Sequence, residues 1–267
     1  MKSKAPSYPY LIWMLFFTII PLGMVVYYAF TDSSGAFTLQ SFIDSLYYKD
    51  VFIRSLWIAF LSTAICLLIA YPLAYIMSRA TQQKRNLLTV LLMLPMWMNF
   101  ILRIYAWVLL LQNDGLVDIG VKLLGFDVAL LGNQGAVVLG MVYNFLPFMV
   151  VPLYNSLTKI DNNVINAARD LGANNVQVFT KIIMPLSVPG VISGITMVFV
   201  PALTTFVISD ILGGSKILLI GNVIEQEFTQ SYNWHAGSGL SLVLMIFIVI
   251  SMALISKYDK DGEGTTF

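Results

Sequence analysis

Long apolar runs alternate with short polar segments along the whole chain. Each run holds about 20 mostly apolar residues, which is the length that an α-helix needs to cross roughly 30 Å of hydrocarbon. The runs that meet this condition lie at approximately residues 10–30, 54–78, 87–111, 135–157, 187–209 and 238–256. We therefore expect an all-α integral membrane protein of about six transmembrane helices, which form a single domain over residues 1–267.

The composition agrees with a membrane protein. Hydrophobic residues make up 58% of the chain and charged residues only 11%, which is too little polar surface for a soluble globule of this size. The net charge of +1 excludes a general role in binding polyanions, so we expect no nucleic-acid partner. The first apolar run follows Lys2 and Lys4 and lacks a clean small-residue cleavage site, so it is predicted to stay in the lipid as a span.

Basic residues are concentrated on one side of the membrane. Six spans place both ends of the chain on the same side, and the connecting segments then form two sets. The set that includes the termini holds Lys2, Lys4, Arg79, Lys84, Arg85, Lys159, Arg169, Lys181, Lys257 and Lys260. The opposite set holds only Lys49, Arg54, Lys122 and Lys216. Because cytoplasmic loops carry the excess of Lys and Arg, the pattern predicts that both termini are cytoplasmic. Acidic residues collect on the outer side: Asp32, Asp44, Asp50, Asp114, Asp118, Asp127, Asp210, Glu225 and Glu227.

A polar hairpin, residues 161–185, separates the fourth and fifth apolar runs. Residues 161–163 offer side chains that cap the start of a helix, and Gly172 is placed to end it. The apolar residues of this helix recur every three or four positions and predict one apolar stripe: Val164, Ile165, Ala168 and Leu171. We expect Gly172 to permit a tight corner that a Cβ atom would crowd.

A second short helix is predicted after that corner. Asn174 or Asn175 caps its start, and Pro185 marks its end or a kink into the next span. Its apolar residues have the same period: Val176, Phe179 and Ile183. Small side chains at Ala167 and Ala168 let another protein approach the backbone. The polar hairpin therefore either docks into a groove on a partner, packs against its own helices, or lies in the lipid interface.

Two stretches of the polar hairpin resemble the EAA signature of permease subunits of binding-protein-dependent ABC importers: Asn166-Ala-Ala-Arg-Asp-Leu-Gly172 and Ile182-Ile-Met-Pro185. That signature reads Glu-Ala-Ala, three residues, Gly, nine residues, Ile-x-Leu-Pro, and this chain keeps the spacing. Asn166 replaces the Glu, which retains hydrogen-bonding capacity but removes a carboxylate, and Met184 replaces the Leu.

The resemblance implies the type I ABC importer permease fold in the inner membrane of a bacterium. It also identifies the polar hairpin as a cytoplasmic coupling helix, which fits into a cleft on an ATP-binding subunit and transmits the closure of the ATPase pair to the permease. The residues implied in this docking are Asn166, Ala167, Ala168, Arg169, Asp170, Gly172 and Pro185.

The chain is not expected to carry ATP chemistry of its own. It lacks the Gly-x-x-x-x-Gly-Lys-Ser/Thr phosphate loop, and residues 213–216 are too short and misordered to replace it. ATP and Mg²⁺ are therefore expected on the partner ATPase, with no cofactor, metal or catalytic residue on this chain. A single histidine and the absence of His-Glu-x-x-His exclude a metalloprotease.

Further blocks resemble the PotB-type spermidine/putrescine permease subfamily: Leu102-Arg-Ile-Tyr105, Leu146-Pro-Phe-Met-Val-Val-Pro-Leu-Tyr154, Ser209-Asp-Ile-Leu-Gly-Gly-Ser-Lys216 and Leu219-Ile-Gly-Asn-Val-Ile224. The resemblance implies a polyamine as the solute. It also implies three kinds of partner: a dimer of a PotA-like ATP-binding subunit, a PotC-like second permease, and a PotD-like polyamine-binding protein outside the cytoplasmic membrane.

A polyamine carries two or more ammonium groups, so its path needs spaced carboxylates, carbonyls and aromatic faces. The candidates for such a path are Asp210, Phe206, Tyr105, Tyr143, Asn144 and Asn99. Tyrosines also anchor helices at membrane interfaces, and Asn also forms hydrogen bonds between helices, so each candidate has a structural alternative. Arg103 would repel a cation and is expected to pair with carbonyls or with an acid of a partner subunit.

Glu225 and Glu227 lie in an outer segment, residues 221–230, which is predicted to form a helix on the membrane surface. They are candidates to contact the cation or the binding protein, and an exposed solvated face is the alternative.

Two other transport functions remain open at this point. A secondary transporter or channel would need no ATPase, but it would favour an inverted repeat, which the sequence does not reveal. An importer for another small organic solute or a metal complex would share the polar hairpin.

Overall fold

The computed structural model describes residues 8–126 and 128–256. Five residues whose charges entered the sidedness prediction lie outside the described residues: Lys2, Lys4, Asp127, Lys257 and Lys260. The helices, in chain order, are α1 Tyr8–Met14, α2 Ile20–Ala29, α3 Gln40–Ser45, α4 Lys49–Arg79, α5 Gln82–Met93, α6 Phe100–Leu111, α7 Leu116–Leu123, α8 Gln134–Thr158, α9 Asn162–Asp170, α10 Asn175–Val178, α11 Met184–Leu186, α12 Val188–Thr204, α13 Val207–Leu212, α14 Ile220–Thr229 and α15 Trp234–Ser256. π-Helical turns span Leu15–Ile19 and Phe179–Ile183, and 3₁₀ turns span Leu46–Tyr48 and Leu94–Trp97.

The core of the molecule is the group formed by α4, α8 and α12, which pack against one another. Gly190 and Gly194 lie one turn apart on α12 and face α8. A Cβ atom at Gly190 would lie 2.8 Å from the carbonyl oxygen of Pro152, and one at Gly194 would lie 2.6 Å from the sulfur of Met149. The absence of side chains at these two positions therefore lets the helix backbones approach closely, as small residues do at helix contacts in membranes.

The other helices surround this core. α15 packs against α2, α3 and α14, and α13 packs against α6 and α8. Residues Ile12–Ala29 are apolar but only 6% buried inside the protein, which is the pattern of a helix whose surface faces lipid. Within the described part of the chain, five helical segments are long and apolar enough to cross a membrane. A sixth is obtained when the bent pair Asn175–Leu186 and Val188–Thr204 counts as one span, which agrees with the six predicted spans.

The third span is not the continuous helix that the apolar run at 87–111 predicts. α5 ends at Met93, a 3₁₀ turn at Leu94–Trp97 follows, and α6 begins at Phe100. Pro95 lies in that turn and has no backbone N–H to continue the helix. Asn99 then caps α6, because its Oδ1 accepts hydrogen bonds from the backbone N–H groups of Ile101 and Leu102 at 2.9 and 3.3 Å.

The fifth span also differs from the predicted helix over residues 187–209. α12 ends at Thr204, Thr205 is extended, and α13 begins at Val207. The Nδ2 of Asn222 donates to the carbonyl oxygen of Phe206 at 3.2 Å and so ties α14 to the start of α13 beside the break.

Candidate functional site

The polar hairpin begins with a helix whose two ends are capped. At its start, the backbone N–H of Asn163 donates to Oδ1 of Asp161 at 2.9 Å. At its end, Gly172 has a φ of +87°, and the N–H groups of Gly172 and Ala173 donate to the carbonyls of Arg169 and Ala168 at 2.9 and 3.0 Å. This pair of bonds is a Schellman motif, which requires the left-handed conformation.

Gly172 is needed at this corner for its dihedral angle and not for lack of space. A Cβ atom at this position would meet no atom within 4 Å. The expectation that a side chain would crowd the corner is therefore wrong. The constraint comes instead from the positive φ, which L-residues with a side chain rarely adopt.

The second helix of the hairpin is capped by Asn174 and not by Asn175. Asn174 Oδ1 accepts from the N–H of Gln177, and the N–H of Asn174 donates to Gln177 Oε1, both at 2.9 Å. This reciprocal pair is a capping box. α10 then continues through the π-helical turn Phe179–Ile183 into α11.

The chain bends after α11, where it enters α12. The bend of 60° lies at Ser187, two residues after the predicted kink at Pro185. Ser187 is buried, its Oγ donates to the carbonyl of Met184 at 2.9 Å, and the hydroxyl of Tyr71 lies 2.7 Å from that Oγ. The ring of Phe179 makes an edge contact with that of Tyr71, at 5.7 Å between centroids. α4 and the polar hairpin are thus joined at the bend.

The apolar residues of the polar hairpin do not form the single stripe predicted from their spacing. Ile165 is buried, whereas Leu171 is 89% exposed, Val176 is 70% exposed and Val164 is 46% exposed. Only one side of α9 packs against the rest of the chain, so the remaining apolar residues face outward. We call the exposed group of Val164, Ala167, Leu171 and Val176 the outer patch.

A second surface lies on the other side of α9, where this helix meets the end of α4. It is an open cleft of about 380 Å³, lined by Tyr75, Arg79, Asn162, Ile165, Asn166 and Arg169, and we call it the basic cleft. The guanidinium of Arg79 lies over the ring of Tyr75, 5.8 Å from its centroid, and donates to Oδ1 of Asn162. Arg169 Nη2 donates to Oδ1 of Asn175 at 3.4 Å.

The predicted docking residues fall on different parts of this hairpin. Asn166 and Arg169 line the basic cleft, and Ala167 belongs to the outer patch. Ala168 is half-buried, whereas Asp170, Gly172 and Pro185 are exposed. Val178, which the spacing did not single out, is buried and anchors α10.

Three of the predicted path residues are engaged within the chain. Asn99 caps α6, and the ring of Tyr143 packs edge-on against that of Trp107 at 5.4 Å. Asn144 is buried and its Nδ2 donates to the carbonyl of Gly140 at 2.8 Å, while its Oδ1 has no partner among the described residues. A contact of these residues with a solute stays a prediction. Tyr105 is 52% exposed on α6.

Asp210 and Phe206 belong to the broken end of the fifth span. Asp210 is exposed on α13, accepts from Ser215 Oγ at 3.3 Å, and forms no ion pair within the described residues. A buried hydrogen bond of 2.6 Å from Ser209 Oγ to Asn222 Oδ1 holds this segment. Sequence reasoning missed Ser209 and Asn222 as supporting residues. The sequence signal that could have identified Asn222 is the presence of an Asn within an apolar stretch, residues 219–224.

Glu225 and Glu227 lie on α14, which confirms a helix in this segment but not its place at the surface. The first turn of α14 is buried, and a Cβ at Gly221 would lie 2.7 Å from the carbonyl oxygen of Thr204. Both glutamates are half-buried. Glu227 Oε1 accepts from the hydroxyl of Tyr48 at 3.0 Å, and Glu225 Oε1 accepts from Thr229 Oγ1 at 2.8 Å.

Arg103 points into the protein. Its side chain is 8% exposed and its guanidinium lies over the ring of Phe100, 5.8 Å from the centroid. Its Nε has no hydrogen-bond partner in residues 8–126 and 128–256. No group of three or more His, Cys, Asp or Glu residues that could hold a metal ion occurs in the described part of the chain.

Comparison with known proteins gives consistent matches. A family model described as "Binding-protein-dependent transport system inner membrane component" matches residues 68–258. The spermidine/putrescine transport system permease protein PotB of Haemophilus influenzae is 38% identical over 261 residues, covering 93% of this chain and 91% of the relative. PotB of Escherichia coli is 37% identical over 260 residues, covering 93% and 94%. Among solved structures, a bacterial ABC transporter involved in the import of the acidic polysaccharide alginate has a TM-score of 0.77 at 17% identity, covering 97% of this chain and 95% of that one.

Proposed function

The chain belongs to the family of binding-protein-dependent transport system inner membrane components, and from this premise we propose that it is the permease subunit of an ATP-driven importer of polyamines. The observation that carries the proposal is the 37–38% identity to spermidine/putrescine permeases over 93% of the chain. The fold, which is similar to that of an ABC importer, supports the importer part of the proposal but not the choice of solute.

The energy for import is supplied by a partner in this proposal. The sequence lacks a phosphate loop, so ATP and Mg²⁺ are bound by a dimer of a PotA-like subunit and this chain is not an enzyme. The polar hairpin faces the cytoplasm, as do both termini, and its outer patch enters a groove on the ATPase. The exposure of Leu171 and Val176 supports this, because apolar side chains exposed on a polar hairpin are typical of a protein contact.

Two further partners complete the transporter. A PotC-like second permease forms the other half of the path, and a PotD-like protein delivers the polyamine from outside. Membership in a family named for its dependence on binding proteins supports the latter. Glu225 and Glu227 are the candidate contacts for that protein.

Movement of the hairpin reaches the path through a continuous series of helices. α10 and α11 lead to the bend at Ser187, and α12 leads from there to the break at Thr204 and to Asp210. Gly190 holds α12 close to α8, so the two helices move together when the hairpin is displaced. A rigid-body shift of this kind is a common form of switching in packed helical proteins.

The solute is expected to meet Asp210 in the path. Its carboxylate is exposed and forms no ion pair within the described residues, so it can bind an ammonium group. An inside-negative potential of about 100 mV contributes about 2.3 kcal/mol per elementary charge to the entry of a cation. ATP hydrolysis then makes the import unidirectional and lets the polyamine accumulate against a steep concentration gradient.

The test is reconstitution of the complex in lipid vesicles with the ATPase, the second permease and the binding protein. We expect ATP hydrolysis to rise when the binding protein carries spermidine or putrescine, and labelled polyamine to accumulate only with ATP. Accumulation that continues without ATP would instead support a secondary transporter. If a different solute stimulates ATP hydrolysis and polyamines do not, the importer function is supported but the assignment of polyamines as its substrate is refuted.

A further inference from the structure

The basic cleft carries positive charge that no residue of its lining neutralises. Two of its six lining side chains are guanidinium groups, Arg79 and Arg169, and none is a carboxylate. Neither arginine of the cleft forms an ion pair in the described residues. The ion pairs found there join Lys122 to Asp114 and to Asp118, which do not line the cleft. Arg79 and Arg169 donate only to neutral amide oxygens.

The two acids nearest in sequence do not fill the cleft. Asp161 uses Oδ1 to accept from the backbone N–H of Asn163, and its Oδ2 accepts from the side chain of the same residue at 3.3 Å. Asp170 follows Arg169 directly, and adjacent residues of an α-helix point about 100° apart around its axis. It also follows Asn166 by four residues and so lies near the edge of that side of α9, but it does not line the cleft and forms no ion pair with Arg79 or Arg169 within the described residues.

Contacts within the chain already orient the hydrogen-bond donors of the cleft in a way that suits an anion. The ring of Tyr75 and the Oδ1 of Asn162 hold the guanidinium of Arg79 in place. Because that bond uses the Oδ1 of Asn162, its NH₂ group remains available as a donor. The buried side chain of Ile165 forms the floor. A planar guanidinium matches a carboxylate with two parallel hydrogen bonds, which a Lys cannot do.

The position of the cleft on α9 indicates where the anion comes from. Residues 162, 166 and 169 lie on one side of this helix, while the outer-patch residues 164, 167 and 171 lie on the opposite side, by the 3.6-residue repeat. A groove on a protein that encloses α9 touches both sides at once. A membrane surface touches only one side.

We propose that the basic cleft receives the carboxylate of an Asp or Glu side chain from the ATPase subunit. The groove that holds α9 then has an apolar wall against the outer patch and an acidic wall against Arg79 and Arg169. This inference rests on the proposed function, since it assigns a chemistry to the same docking contact.

The experiment measures the affinity of the detergent-purified permease complex for its ATPase as salt is raised. Arg79→Gln and Arg169→Gln should each weaken docking about five- to tenfold at low salt and flatten its salt dependence, because an ion pair is screened by salt. Lys84→Gln is the matched control, since it removes one exposed positive charge outside the cleft. Thermal unfolding of each variant excludes loss of the fold, and Arg169→Lys should recover part of the affinity.

The outcomes separate this inference from the proposed function. Leu171→Asn in the outer patch should weaken docking without changing its salt dependence. If that variant weakens docking but the arginine variants do not, the proposed contact with an ATPase carboxylate is refuted. Docking of the polar hairpin on the ATPase is then still supported. If none of them weakens it, the docking assignment also fails. If the arginine variants lose binding to phosphatidylglycerol vesicles but keep the ATPase, the cleft is a lipid site and the proposal is overturned.

Discussion

Gly172 shows how one backbone angle controls the shape of the polar hairpin. Its φ of +87° is a conformation that costs an L-residue about 1–2 kcal/mol, and a β-branched side chain more. We expect Gly172→Val to displace the corner and lower ATP-driven uptake about tenfold with normal membrane insertion, since about 1.4 kcal/mol corresponds to a factor of ten. Uptake into vesicles and the amount of inserted protein are the measurements.

Gly172→Asn is the matched control for that change. Asn adopts the left-handed conformation more readily than other residues, and a Cβ at this position meets no atom within 4 Å. The Asn variant should therefore keep most of the uptake. If the Asn and Val variants are equally impaired, the dihedral angle is not the reason that this position needs Gly.

Asp210 is the residue for which a polyamine path makes the sharpest prediction. Asp210→Asn keeps the size and the hydrogen bond of the side chain but removes the charge that binds an ammonium group. We expect the KM for polyamine uptake to rise about tenfold, or about 1.4 kcal/mol, with no change in assembly. Asp44→Asn, an exposed outer carboxylate that accepts from Gln40, is the control and should leave KM unchanged. An unchanged KM in Asp210→Asn would assign this residue a structural role.

The contact between α12 and α8 is the element on which transmission from the hairpin depends. A Cβ at Gly190 would lie 2.5 Å from Cβ of Ser156, so Gly190→Ala must push the helices apart. We expect this variant to lose about 1–3 kcal/mol of stability against denaturation in detergent, as overpacked cores do.

A glycine elsewhere in the same protein gives the opposite expectation. At Gly23 on α2, a Cβ would meet nothing within 4 Å. Gly23→Ala should therefore stabilise the helix by about 0.5–1 kcal/mol, because Ala loses less backbone entropy than Gly. No loss of stability in Gly190→Ala would contradict the close packing of α12 on α8, and a loss in Gly23→Ala would contradict the open surroundings of Gly23.

The sidedness of the whole molecule is tested by labelling introduced cysteines. The chain has one cysteine, Cys66, whose side chain is 0% exposed, so it does not compete for a reagent. In the permease expressed without its ATPase, Leu171→Cys, at a position that is 89% exposed, should react with an impermeant maleimide only after permeabilisation. Phe37→Cys, at a position that is 75% exposed between α2 and α3, should react in intact cells. The reverse pattern would place the polar hairpin outside the cell and remove the docking proposal.

Short-range chemistry determined the general plan of this protein. Apolar runs of membrane length predict the spans, because crossing hydrocarbon requires about 20 apolar residues in any surroundings. The capped polar hairpin was equally predictable. Its corner uses a bond from Ala173 to Ala168 and its second cap a bond from Gln177 to Asn174, so both depend on residues close together in the chain.

Only the tertiary structure decided which surfaces the hairpin presents and where the spans break. Ile165 and Leu171 look equivalent in the sequence, yet one is buried and the other is 89% exposed, because the rest of the chain covers one side of α9. The break after Thr204 is held by Asn222, and α14 is held by Ser55, 165 positions before the Ile220 N–H that donates to it. Periodicity measures spacing within a helix. Burial and long-range hydrogen bonds depend on the distance between helices, and the spacing of residues along one helix gives no information about that distance.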